Sequence, residues 1–114
     1  MKTTERGRRA ESAAKTYLEM RGFSIIEQNF RRPRCEIDIV AMKNNVVHLV
    51  EVIYRHDDAD SVSLEAITAT KLRQMRFAAD IWVEETKWHS GYVLSTIEIT
   101  GEDYSIMSFV ENAF

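Results

Sequence analysis

Glu36-Ile37-Asp38-Ile39-Val40-Ala41-Met42 and Val46-Val47-His48-Leu49-Val50-Glu51-Val52-Ile53, separated by Lys43-Asn44-Asn45, decide the fold. Both stretches are rich in β-branched residues and too short for a typical helix, so they read as two buried strands. Asparagine tolerates positive φ, and Asn44-Asn45 therefore predicts a two-residue type I′ hairpin turn. That turn fixes the register: Lys43 pairs with Val46, Met42 with Val47, Val40 with Leu49, Asp38 with Glu51 and Glu36 with Ile53. All these pairs but the first fall on one face, because side chains alternate with period two.

Three carboxylates in two apolar strands demand compensation, since burying an unpaired carboxylate costs several kcal/mol. For Asp38 opposite Glu51 three arrangements answer the demand. One acid is protonated, or an arginine or lysine sits between them, or a divalent cation bridges them.

Outward from the hairpin, residues 5–21 carry Ala10, Ala13, Ala14, Tyr17 and Leu18 at helical spacing, with Gly22 placed to end the helix in a left-handed cap. Phe23 to Phe30 reads as a first strand, and Arg31-Arg32-Pro33-Arg34 as a loop into the second. Asp57, Asp58 and Asp60 form an acidic loop, followed by Ser61 or Ser63 as a helix cap. A second helix is predicted over about 64–85, with Leu64, Ile67, Leu72, Met75, Ala79, Trp82 and Val83 on one face. Tyr92–Ile99 and Tyr104–Val110 read as closing strands around a Gly101-Glu102-Asp103 turn. The order α-β-β-β-α-β-β is that of a mixed α/β layer domain, and residues 1–114 are most simply one domain.

Charge is divided along the chain. Residues 1–43 hold ten Lys/Arg against six Asp/Glu, and residues 44–114 hold five against twelve, for a net charge of −3. Overall acidity argues against a generic polyanion coater, while the basic first half is able to present a local phosphate-binding patch. The single cysteine, Cys35, excludes an internal disulfide and a multi-cysteine zinc site, so a cytoplasmic location is expected. No run approaches the roughly 20 apolar residues of a membrane span.

The chain resembles the YraN-like bacterial proteins, relatives of Holliday-junction resolvases in the PD-(D/E)xK restriction-endonuclease-like superfamily. The resemblance covers nearly the whole chain. It rests on Gly7 and Glu11, Asn29-Phe30-Arg31, Glu36-Ile37-Asp38, Val50-Glu51-Val52 with Arg55, Lys71, and Asn112-Ala113-Phe114. It implies a central mixed sheet flanked by helices and a nucleic-acid partner, DNA and branched DNA first. It also implies Mg²⁺ or Mn²⁺ held by Asp38 and Glu51, with Glu11 near the metal and Glu36 in support. The oligomeric state is open, a homodimer included.

The chain departs from the family pattern in three places. Cys35 stands where a glycine usually precedes Glu-Ile-Asp, and Val93 replaces an aspartate of the fourth strand. Ile53 occupies the position of the lysine that orients or activates the attacking water, and isoleucine carries no charge. The expectation is therefore a nucleic-acid-interacting, nuclease-like protein, or a binding or protein-interaction module in which hydrolysis is lost.

Lys71 is the candidate substitute cation, since it lies within the apolar stripe of the second helix; the alternative is a side chain snorkelling from its edge. Arg31, Arg32 and Arg34 are candidate phosphate contacts beside the acid-bearing strand, or else a solvated loop. Arg55 is another such contact, or a strand-end charge in solvent. Arg6, Arg8 and Arg9 are weaker candidates on the first helix. His48, on the strand face opposite Glu51, reads as a packed histidine, His89 as a loop residue, and His56 as only a remote candidate metal ligand.

Overall fold

A computed structural model describes residues 5–55 and 64–113, apart from the side chains of 64–68. The elements run α1 (Glu5–Met20), β1 (Ser24–Arg32), β2 (Cys35–Lys43), β3 (Val46–Arg55), α2 (Leu64–Thr86), β4 (Tyr92–Thr100) and β5 (Ser105–Val110). The predicted acidic loop of Asp57, Asp58 and Asp60, its capping Ser61 or Ser63, and His56 lie outside the described residues, as do the side chains of Leu64 and Ile67.

One five-stranded sheet has the order β1-β2-β3-β4-β5, antiparallel except for β3 and β4, which run parallel. A parallel pair needs a crossover, and α2 lies within it. The two helices pack on separate apolar clusters. Ala10, Ala14 and Leu18 of α1 join Phe23, Ile39, Ala41, Val50, Val52, Ile97 and Ile99. Met75, Ala78, Ala79 and Trp82 of α2 join Phe30, Ile37, Val40, Val47, Leu49 and Leu94. Each fully buried Leu, Ile, Val or Phe in these clusters contributes about 1.5–3 kcal/mol against exposure. Of the predicted α2 stripe, Met75, Ala79 and Trp82 are buried, with Leu72 and Val83 packed at the margin. Among the described residues no helix is long and apolar enough to cross a membrane.

The turns follow their sequence signals. Asn44 and Asn45 have φ of 54° and 64°, the signature of type I′, and the ladder runs from Lys43–Val46 to Ile39–Val50 in the predicted register. Gly22, with φ 92°, ends α1 in a Schellman motif: its N–H donates to the Glu19 carbonyl, and Phe23 N–H donates to the Leu18 carbonyl.

Two expectations need correction. Arg31 and Arg32 are not loop residues; they extend β1 and pair with Glu36 and Cys35, leaving Pro33-Arg34 as the whole connection. Proline has no N–H to donate, but in a two-residue turn none is required of it. Moreover, the β2–β3 ladder does not continue through Asp38–Glu51 and Glu36–Ile53 but ends at Ile39–Val50.

Candidate functional site

Where that ladder ends, β2 and β3 leave a cleft beneath α2. It has a volume of about 230 Å³ and is lined by Arg34, Cys35, Glu36, Glu51, Lys71, Gln74 and Met75. Each wall has a local cause. Arg34 takes φ 60° in the two-residue turn. Glu51 lies on the strand face that also turns Val47 and Leu49 toward α2, with the same period-two spacing. Lys71 lies one turn before Met75 on α2, so the buried methionine directs the lysine toward the sheet.

Lys71 Nζ stands 2.8 Å from Glu51 Oε2. The lysine side chain is 42% exposed and the acid 14%, so the pair sits at the cleft mouth. Of the arrangements expected for the acids, the structure contains a lysine on Glu51, while Asp38 is engaged elsewhere. Asp38 is only 1% exposed, and its Oδ2 accepts the Val52 N–H at 2.8 Å. Glu36, instead of facing Ile53, accepts from Arg31 Nε across the β1–β2 pair at 3.3 Å. Glu11 is buried in α1 on the other layer.

The arginines divide by what holds them. Arg32 donates to both Glu85 oxygens, at 2.7 and 2.6 Å, and its guanidinium lies over the Phe30 ring. These bonds hold the Glu85 carboxyl below its ordinary range. Arg55 is not a strand-end charge in solvent: its Nε donates to Glu98 Oε2 at 2.7 Å, with side chains 11% and 8% exposed. Arg31 is engaged with Glu36, and exposed Arg34 lines the cleft. On α1, Arg8 and Arg9 both pair with Glu5, and Arg6 lies over the Tyr54 ring.

Glu85 and Glu98 were missed by sequence reasoning. A signal for Glu98 was available, because an acid inside the apolar Tyr92–Ile99 stretch needs a buried cation. Gln74 carried no such signal. His48 packs as expected, with Nδ1 3.1 Å from Ser95 Oγ and its ring edge-on to Phe23. Burial lowers its pKa below the ordinary imidazole value, and the Glu111 charge offsets this in part. Cys35 is buried in the cleft wall, and desolvation raises its thiol pKa. That disfavours the nucleophilic thiolate.

Asp38 accepts a backbone amide, Glu51 is paired with Lys71, and among the described residues no three His, Cys, Asp or Glu side chains gather as a divalent-cation cradle. The cleft thus brings the cations Lys71 and Arg34 together with the acids Glu36 and Glu51.

A family model described as "Uncharacterised protein family UPF0102" matches residues 10–103. A UPF0102 protein of Cytophaga hutchinsonii is 30% identical over 106 residues, spanning 93% of this chain and 94% of that relative. One of Clostridium novyi is 32% identical over 113 residues, spanning 95% and 93%. One of Renibacterium salmoninarum is 38% identical over 95 residues, spanning 83% and 77%.

Proposed function

Because the chain belongs to the uncharacterised protein family UPF0102, whose name carries no activity, its own site must supply the reading; we propose a nucleic-acid-interacting domain of endonuclease-like fold that grips the phosphate backbone at the Lys71–Arg34 cleft. The observation that carries this is the contact of Lys71 Nζ with Glu51 Oε2. A cation from α2 reaches the acid that Ile53 leaves without its usual neighbour on β3.

Magnitudes distinguish this pair from the other cations. Lys71 is 42% exposed, so solvent screens its pair with Glu51 and the lysine is able to turn toward a phosphate oxygen more readily than a covered cation. Arg55, buried against Glu98, cannot leave so cheaply, since breaking a buried pair costs about 3–5 kcal/mol. Arg34 and Lys71 are thus the cleft's cations for backbone contacts, with Arg31 at the adjoining strand.

Titration of labelled duplex and four-way-junction DNA across salt tests the proposal. Binding is expected to weaken steeply with salt, because phosphate contacts release counterions. Lys71→Glu and Arg34→Glu should each weaken binding whatever the sequence and lower the log–log salt slope by about 1 or more. Failure to bind DNA or RNA at about 50 mM salt rejects the proposal.

A further inference from the structure

β2 breaks the alternation rule at one point. Ile37 packs in the cluster under α2, whereas Ile39, two residues on, packs in the cluster under α1. Residues i and i+2 of a regular strand share a face, so the strand is kinked between them, at Asp38. β1 is kinked alongside it: Asn29, between the Gln28–Ile39 and Phe30–Ile37 pairs, takes φ 54°. The β1–β2 register is unchanged through the kink, so the two strands bend together.

The β2–β3 ladder ends at the same place. Its final pair is Ile39–Val50, and beyond it Val52 N–H donates to Asp38 Oδ2 at 2.8 Å, a backbone-to-side-chain bond. Glu51 precedes Val52 on β3, and the cleft occupies the space beyond the kink, with Cys35 and Glu36 on one wall and Glu51 on the other.

We propose that Asp38 is a positioning residue: it fastens Val52 across the parted strands, so that the kinked hairpin stays open as a cleft and Glu51 is held where Lys71 meets it. The acid that the family pattern assigns to a metal ion serves here as a backbone clamp. An amide oxygen can accept the same N–H, whereas a neutral amide is a poor divalent-cation ligand beside a carboxylate.

Asp38→Asn and Asp38→Ala, followed by amide hydrogen exchange at Val52 and by Mn²⁺ binding in electron paramagnetic resonance titration, decide it. Asp38→Asn is expected to keep Val52 protected within a few-fold of the native chain and leave Mn²⁺ binding unchanged; Asp38→Ala is expected to lose protection at Val52 by tenfold or more. Native Mn²⁺ binding that Asp38→Asn weakens tenfold or more overturns the proposal, as does full Val52 protection in a folded Asp38→Ala protein. If Asp38→Ala does not fold, the Asn variant decides. Neither measurement uses nucleic acid, so the outcome is independent of the function proposed above.

Discussion

Arg55 Nε and Glu98 Oε2 meet 2.7 Å apart between adjacent parallel strands, both side chains almost wholly covered. Removing one member leaves an uncompensated buried charge, so Arg55→Ala should destabilise the fold by about 3–5 kcal/mol, a large share of a small domain's stability. Replacing both, as Arg55→Met with Glu98→Leu, should recover most of the loss. Chemical denaturation of the three variants checks both statements.

Ile53 neighbours Glu98 across the β3–β4 pair. A lysine introduced there would meet that acid, already engaged with Arg55, in a site whose Glu51 already holds Lys71. Ile53→Lys is therefore expected not to produce cleavage of linear or branched DNA with Mg²⁺ or Mn²⁺. Cleavage abolished again by Asp38→Ala would instead reveal a nuclease lacking only its lysine.

His48 gives stability a pH dependence of definite sign. Its folded-state pKa lies below the ordinary value of 6.5 because burial disfavours the charged ring. Above about 6.5 the ring is neutral in both states and its contribution is intact. As pH falls below that value the unfolded chain takes up the proton first, and stability declines until the folded ring titrates as well. Thermal unfolding between pH 7.5 and pH 5 should show this loss, and His48→Gln should flatten it.

Gly22→Ala isolates a backbone term. The added Cβ would meet only the end of the Lys43 side chain, Cε at an ordinary 3.6 Å and Nζ at 3.8 Å, so packing does not oppose it. The left-handed φ of 92° does, at about 1–2 kcal/mol. A melting temperature lower by about 4–8 °C per kcal/mol is expected by calorimetry.

The fold was readable because its local signals agree: paired asparagines demand one turn, Gly22 one helix end, and the apolar stripes two helix faces. The reading fails where a local rule was applied past its range. A period-two extrapolation from the Asn44-Asn45 turn put Asp38 opposite Glu51, but alternation does not survive the kink at Asp38. Nothing local to the sequence marks that kink, because Asn29, which bends with it, lies in another strand. Lys71 was legible as a cation inside an apolar stripe, whereas its partner depends on how α2 crosses the sheet. The burial of Arg55 is not local either, since its environment is set by β4, more than forty residues downstream.

The parallel pairing of β3 with β4 also orders events during synthesis. The β1–β2–β3 meander is made of neighbours in sequence and is able to assemble from local contacts, while the β3–β4 pair waits for the crossover that contains α2. Glu51 therefore leaves the ribosome twenty residues ahead of Lys71, and Arg55 forty-three ahead of Glu98. For that interval the emerging hairpin lacks Lys71 and Glu98, and its apolar face lacks α2. The meander alone thus presents the uncovered apolar face and unpaired β3 edge that favour premature association.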